Sequence, residues 1–136
     1  MNLSFEKYQA SGNDFILINQ FNNNFLLNKK KIGFLCERNL GVGADGVIII
    51  RNTAKADFEM KFYNPDGSES FCGNGSRCAV HYAASNKISK KNISMFLARN
   101  KYHEAYINKS KVSIKMNDIS NIKKINNDFY IDLESH

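Results

Sequence analysis

Short runs of alternating or continuous apolar residues, which are typical of β-strands, dominate the hydrophobic pattern of this chain. The pattern predicts strands at 3–7, 15–19, 46–50, 58–63, 93–98, 102–107, 112–116 and 129–132. A polar turn at 9–14 separates the first two strands. Another turn follows 58–63 in the segment Asn64-Pro65-Asp66-Gly67, whose proline and glycine occupy the positions that a type I turn favours.

Two segments repeat apolar residues at helical spacing instead. Asn28 is placed to cap a helix that runs to about Arg38. The second helix runs from Asn74 to about Lys87 and is apolar around most of its circumference, as expected of a helix buried on most sides. Together the elements predict one α+β domain over residues 1–136, in which a curled, largely antiparallel, barrel-like sheet wraps a central apolar helix.

The composition is that of a globular domain. The chain has 136 residues, of which 43% are hydrophobic, enough for a core that needs no metal or disulfide. The longest aliphatic run, 47–50, is far shorter than the ~20 residues that span a bilayer. The first residues lack the basic and apolar segments of a secretory signal, and the three cysteines include no C-x-x-C pair. These features predict no membrane association and favour a cytoplasmic location.

The net charge of +6 would suit a nucleic-acid partner. However, the lysines form separate clusters beside asparagines, without interleaved aromatic or glycine residues. A solvated surface explains this pattern better, so we expect no nucleic-acid partner. A basic nucleic-acid-binding module is retained as an alternative, to be tested by salt-dependent binding.

Most glycines lie in three short segments, and the sequence of the central segment matches a known motif. The segment 41–46, Gly-Val-Gly-Ala-Asp-Gly, matches G-x-G-x-x-G. In a dinucleotide-binding fold a strand precedes these glycines and a helix follows them, whereas here the predicted order is reversed. The motif is therefore not interpreted as a nucleotide site.

Cys72 lies at or just before the start of the second predicted helix. The positive end of the helix dipole and the unpaired N–H groups of the first turn favour an anion there, and a thiol so placed can have its pKa lowered. The N–H groups of Gly73, Asn74 and Gly75 could bind a carboxylate, with no Cβ on either glycine to hinder its approach. A buried structural cysteine is the competing interpretation of Cys72.

The other chemically reactive residues are better explained by structure. Cys36 and Cys78 lie on apolar helix faces, which favours core packing. Cys78 and His81 have a spacing that could present two metal ligands, but a closed zinc site needs four, so no metal is predicted. Ser68 lies in no motif that would pair it with a histidine as a nucleophile.

Asn13 and Asn64 each lie in a turn beside an acidic residue, at the end of a strand. Asparagine in that position usually serves the turn itself. The two side chains would be functional only if they shared a ligand.

In combination, four segments resemble the N-terminal half of the diaminopimelate epimerase family. They are Lys7-Tyr8 with Ser11-Gly12-Asn13-Asp14-Phe15; Gly41-Val42-Gly43-Ala44-Asp45-Gly46; Asn64-Pro65-Asp66-Gly67-Ser68-Glu69; and Cys72-Gly73-Asn74-Gly75-Ser76-Arg77-Cys78. Each segment alone is weak, but four in the family's order and spacing over about the first hundred residues are specific.

The resemblance implies an isomerase of lysine biosynthesis that interconverts LL- and meso-diaminopimelate without pyridoxal phosphate or another cofactor. In such an enzyme two cysteines act on opposite faces of the α-carbon, one removing the proton as a thiolate and the other returning one as a thiol. Cys72 matches the first of these cysteines. Asn13 and Asn64 match substrate-contacting asparagines, and Gly73 and Asn74 match the backbone donors to the α-carboxylate.

The family is about twice as long as this chain, and its second cysteine lies in the C-terminal half. Neither Cys36 nor Cys78 matches that second cysteine. The resemblance therefore implies that the C-terminal domain is absent from these residues and that they are inactive alone; it leaves a homodimer open. The competing hypothesis is a non-catalytic binding or interaction domain that retains the epimerase fold.

Overall fold

The computed structural model describes residues 3–22, 25–90, 92–109, 111–115, 122–125 and 128–131. The helices are α1 (Lys29–Cys36) and α2 (Gly73–Ser85). The strands are β1 (Glu6–Ala10), β2 (Asn13–Asn19), β3 (Gly46–Arg51), β4 (Phe58–Tyr63), β5 (Glu69–Ser70), β6 (Ile93–Ala98), β7 (Lys101–Asn108), β8 (Lys111–Ile114), β9 (Ile122–Ile125) and β10 (Asp128–Ile131).

The N-terminal hairpin is longer than the sequence pattern predicts. Strands β1 and β2 pair as far as Ala10 and Asn13, so that only Ser11 and Gly12 form the turn. Both turn residues have positive φ, 51° and 86°, as a two-residue type I′ hairpin requires. The predicted strand 3–7 and polar turn 9–14 are therefore wrong in their bounds. Gln9 and Ala10 pair with Asp14 and Asn13 and so continue the ladder, and Asn13 begins a strand.

Eight strands form one sheet in the order β1-β2-β3-β4-β6-β7-β8, with β5 paired to β4. Five pairings in this sheet are antiparallel, and two, β2 with β3 and β4 with β6, are parallel. A parallel pair needs a crossover connection, and a helix lies in each of the two crossovers. Helix α1 connects β2 to β3, and α2 lies between β4 and β6.

The two helices cover opposite faces of the sheet. Residues Phe15 and Leu17 of β2 belong to the core cluster that includes α2, whereas their neighbours Ile16 and Ile18 pack in the cluster that includes α1. Strand β3 alternates in the same way. Because these strands are buried on both faces, they show continuous apolar runs instead of alternation.

Helix α2 occupies the concave side of the sheet. It contacts β1 and β8, the two end strands of the sheet order, as well as β2, β3 and β4. One helix can touch both ends only if the sheet curls around it. Within α2, Ala79, Val80 and Ala83 are fully buried. The predicted fold, a curled and largely antiparallel α+β sheet around a central apolar helix, is confirmed.

Most other predicted elements are confirmed within a few residues. Asn28 caps α1 through its side chain, which accepts from the N–H of Lys31 at 2.8 Å. The turn after β4 is closed by the N–H of Gly67 donating to the carbonyl of Asn64 at 2.8 Å. Strands β5 and β9 were not predicted. Residues 116 and 132, at the ends of two predicted strands, lie outside the described residues. No helix in the described part of the chain is long and apolar enough to cross a membrane.

The glycine motif at 41–46 follows a helix and leads into a strand, as predicted, and its glycines have packing roles. A Cβ on Gly41 would lie 1.8 Å from the carbonyl oxygen of Phe34. A Cβ on Gly46 would lie 2.5 Å from the ring of Phe62. Close approach of the chain, and not a bound pyrophosphate, accounts for glycine at these positions.

We predict that Gly41→Ala lowers the free energy of unfolding by at least about 2 kcal/mol, because the added methyl group meets backbone that cannot rotate away. Urea denaturation followed by circular dichroism measures the change. Gly73→Ala is the matched control, since a Cβ there has nothing within 4 Å. Equal stability of the two variants would contradict the packing explanation.

Candidate functional site

Cys72 is the N-cap residue of α2, with the extended backbone conformation (φ −123°, ψ 117°) typical of that position. Its Sγ accepts a hydrogen bond from the N–H of Gly75 at 3.3 Å. Its carbonyl accepts from both the N–H and the hydroxyl of the buried Ser76, each at 2.8 Å. These contacts hold the sulfur at the positive end of the helix dipole, where negative charge is stabilised.

The half-buried thiol of Cys72 faces an open cavity of about 570 Å³. The lining residues are Asn13, Phe15, Asp45, Phe62, Asn64, Ser68, Glu69, Ser70, Phe71, Cys72 and Gly73. Of the five site residues that the family resemblance implies, Asn13, Asn64, Cys72 and Gly73 therefore line one cavity. The fifth, Asn74, reaches the cavity wall through Asn13, because its Nδ2 donates to Asn13 Oδ1 at 2.8 Å.

The loop between β4 and β5 positions Asn64. The N–H of Asn64 donates to the carbonyl of Ser68 at 2.8 Å, and its Nδ2 donates to the hydroxyl groups of Ser68 and Ser70, both at 3.1 Å. Gly67 has φ +87°, which completes the reversal of the chain. Asn64 thus has the turn role expected from sequence and also lines the cavity.

The two glycines after Cys72 have different surroundings. Gly73 is exposed, and a Cβ there would have nothing within 4 Å, so its backbone is open to the cavity. Gly75 is buried against Phe62 and Ile48 of the core. Its N–H already donates to Sγ of Cys72. The expectation that Gly75 binds a carboxylate is therefore wrong, and the open N–H groups of the first turn are those of Gly73 and Asn74.

Comparison with known proteins decides the family of this chain. The family model for diaminopimelate epimerase matches residues 5–118. The chain belongs to the diaminopimelate epimerase family. A diaminopimelate epimerase of Flavobacterium psychrophilum is 41% identical over 119 residues, which are 85% of this chain and 46% of the relative. One from Campylobacter jejuni subsp. doylei is 43% identical over 123 residues, 89% of this chain and 48% of the relative. The chain spans about half the length of these curated relatives.

Solved structures with the same fold are more distant in sequence. A PhzF-family phenazine biosynthesis protein of Bacillus anthracis matches with a TM-score of 0.60 at 13% identity, covering 89% of this chain and 41% of that one. A methylitaconate-delta-isomerase matches with a TM-score of 0.60 at 16% identity, covering 93% and 39%. Likenesses this distant in sequence show a shared fold.

The epimerase-family chain has two further cysteines, and both are buried away from the cavity. Cys36 and Cys78 are 5% and 4% exposed. Burial raises the pKa of the Cys36 thiol and raises that of Cys78 to about 11. Both thiols are therefore protonated at neutral pH, and the prediction that they pack in the core is confirmed.

A cluster of four charged residues next to Asn13 was not predicted from the sequence. Arg38 donates to both carboxylate oxygens of Asp14, at 2.9 and 3.0 Å, and to Asp45 at 3.1 Å. Lys7 donates to Asp14 at 2.9 Å. Hydrogen bonds from Arg38 and then Lys7 hold the pKa of Asp14 well below its usual range. The sequence signal was weak: Asp14 and Asp45 lie in separate motifs, and only the β2–β3 pairing joins them.

The positions of the described residues support neither a serine nucleophile with a histidine base nor a metal site. Ser68 bonds to Asp66, whereas Nδ1 of His81 lies 3.4 Å from the hydroxyl of Tyr8, so the two residues do not form a nucleophile and base pair. Among the described residues, no group of three or more His, Cys, Asp or Glu side chains could hold a metal ion.

We predict that a chromogenic disulfide reagent modifies one thiol rapidly in the folded chain and three after unfolding, because only Cys72 is accessible. Cys72→Ser should abolish the rapid phase. Cys78→Ala is the matched control and should keep it. A rapid phase that survives in Cys72→Ser would contradict this assignment.

The lowered pKa of Asp14 predicts a pH-dependent contribution to stability. The carboxylate contributes fully above its unfolded pKa of about 3.9, and the contribution is lost as the pH falls towards the lower folded value. The difference in unfolding free energy between wild type and Asp14→Asn should be constant near neutral pH and shrink below about pH 4. Urea titrations across this range measure it. In an Arg38→Gln background the pH dependence should weaken, and a difference that stays constant down to pH 2 would contradict the prediction.

Proposed function

We propose that this chain forms one half of the active site of a diaminopimelate epimerase, in which Cys72 is one of two catalytic thiols. The observation that carries the proposal is the position of Cys72. Its sulfur is held at the N-terminus of α2 and lines the same cavity as Asn13, Asn64 and Gly73. Membership of the epimerase family supplies the reaction.

In one direction, Cys72 acts as the base. Its thiolate removes the α-proton of diaminopimelate: the C–H bond breaks, an S–H bond forms, and the electron pair delocalises into the α-carboxylate. A second thiol returns a proton to the opposite face, which inverts the carbon, and the reverse direction exchanges the two roles. The N–H of Gly75 donates to the sulfur that acts as the base, at the N-terminus of α2.

The carboxylate on the reacting carbon gains negative charge as the proton leaves. Donors already in place stabilise this charge without reorganising. We assign this role to the backbone N–H groups of Gly73 and Asn74, which lie in the first turn of α2 beside Cys72. The open space at Gly73 lets a carboxylate approach the backbone.

Asn13 and Asn64 are assigned to binding the remainder of the substrate. They lie on different elements, β2 and the β4–β5 loop, and both line the cavity. Its volume of about 570 Å³ falls in the range usual for small-molecule sites, about 300–1,000 Å³. The apolar part of the lining, Phe15, Phe62 and Phe71, suits the methylene chain of diaminopimelate.

The second thiol is assigned to a part of the protein outside these 136 residues. Cys36 and Cys78 are buried and do not line the cavity, so neither supplies it. The chain also spans only about half of its relatives. We therefore expect the chain alone to be inactive, and the complete reaction to use two thiols and no pyridoxal phosphate.

We predict that the 136-residue chain exchanges no α-hydrogen of diaminopimelate in D₂O, whereas a chimera with the unmatched half of the Flavobacterium psychrophilum epimerase does. In the chimera, Cys72→Ala should lower exchange by about 10²–10⁴-fold, because the base is lost. Proton NMR of the α-position measures exchange. Cys78→Ala is the matched control.

A second measurement keeps the test informative if the chimera fails to fold. Diaminopimelate should slow modification of Cys72 by the disulfide reagent in the isolated chain. Exchange by the isolated chain at the chimera's rate would disprove the half-site. Exchange by the Cys72→Ala chimera at the rate of the unsubstituted chimera would disprove the role of Cys72. Absence of protection would favour the non-catalytic binding domain.

A further inference from the structure

The side-chain amides of Asn13 and Asn74 form the middle of a hydrogen-bonded chain with a charged residue at each end. Asn13 Nδ2 donates to Asp45 Oδ2 at 3.1 Å, and Asn74 Nδ2 donates to Asn13 Oδ1 at 2.8 Å. Arg77 donates to Asn74 Oδ1. The order from end to end is therefore Asp45, Asn13, Asn74, Arg77.

The two ends allow only one orientation of the amides between them. A carboxylate only accepts hydrogen bonds, so Asp45 must face the NH₂ group of Asn13. A guanidinium only donates, so Arg77 must face the carbonyl of Asn74. Rotating either amide by 180° would place two acceptors or two donors together at an end of the chain.

Other contacts fix both end groups in turn. Asp45 accepts from Arg38 through Oδ1, at 3.1 Å, and from the backbone N–H of Asp14 through Oδ2, at 3.1 Å. Arg77 donates to the hydroxyl of Ser11, in the β1–β2 turn, at 3.0 Å. The hydrogen-bonded chain thus links the β1–β2 hairpin, β2, the start of β3 and the first turn of α2.

We propose that Asp45 and Arg77 are positioning residues that set the amide orientation of Asn13, so that its second Nδ2–H is presented to the cavity as a donor. This inference rests on the proposed function for the identity of the ligand. One Nδ2–H is held by Asp45, and Oδ1 is occupied by Asn74. Asn13 therefore offers its second Nδ2–H to a hydrogen-bond acceptor, such as a carboxylate oxygen of an amino acid.

The orientation is tested first without any ligand. Side-chain NH₂ signals of Asn13 and Asn74 in the ¹⁵N-labelled chain are assigned with Asn→Ala variants, and their hydrogen-exchange rates are measured. Replacing either end by an amide, in Asp45→Asn or Arg77→Gln, removes the enforced orientation. We expect the exchange of the Asn13 NH₂ protons to accelerate about tenfold in both variants.

Two controls separate orientation from general damage. Arg77→Lys retains a donor-only group and should keep slow exchange at both amides. Asp57→Asn is the second control. The Asp57 carboxylate also accepts a backbone N–H, from Met95 at 2.9 Å, but it has no hydrogen bond to Asn13 or Asn74. This variant should have no effect. Unchanged exchange in Asp45→Asn, or faster exchange in Arg77→Lys equal to that in Arg77→Gln, would overturn the proposal.

The ligand is tested by titrating diaminopimelate into the same variants. Asp45→Asn should weaken its binding about tenfold, and should have no further effect in an Asn13→Ala background, because Asp45 acts through Asn13. An additive loss in that background would overturn the positioning role. If wild type does not bind diaminopimelate, the proposed function fails, whereas the exchange rates still decide the amide orientation.

Discussion

The packing of α2 inside the curled sheet is the interaction on which the other features of this structure depend. The helix buries Ala79, Val80 and Ala83, and it contacts strands from both ends of the sheet. Small side chains let the backbone of the helix approach the sheet closely. Because the body of the helix is fixed on several sides, its first turn is fixed as well. Cys72 caps that turn, so the core determines where the thiol lies.

The parallel pairing of β2 with β3 is the second constraint on the site. It places Phe15 opposite Gly46, which brings the preceding residues Asp14 and Asp45 into contact. The N–H of Asp45 donates to the carbonyl of Asp14 at 2.8 Å. Two like charges meet there, and Arg38 compensates them both. A polar wall for the cavity thus arises at the ends of two strands whose interiors are entirely apolar.

Local sequence signals were reliable where a few neighbouring residues decide the structure. Asn28 was recognised as a cap because its side chain satisfies an N–H of its own helix. The interpretation that Cys72 lies at the start of α2 rested on another local signal, the point where the apolar helical pattern begins. The predicted bounds of the β1–β2 hairpin were wrong because Gln9, Asn13 and Asp14 are polar but pair in the ladder as apolar residues do. Helix α1 was predicted, but its place on the outer face of the sheet was not.

The sequence by itself determined the family, the curled sheet around an apolar helix, and the residues that deserve chemical interest. These follow from hydrophobic period, caps and ordered motifs, which are properties of neighbouring residues. Only the tertiary structure decided that Asn13, Asn64 and Cys72 share a cavity, that Gly75 serves the sulfur and not a ligand, and that charged ends orient a pair of amides. Those contacts join residues that are far apart in the chain and that strand pairing brings together. A local sequence pattern does not record which distant residues will form hydrogen bonds.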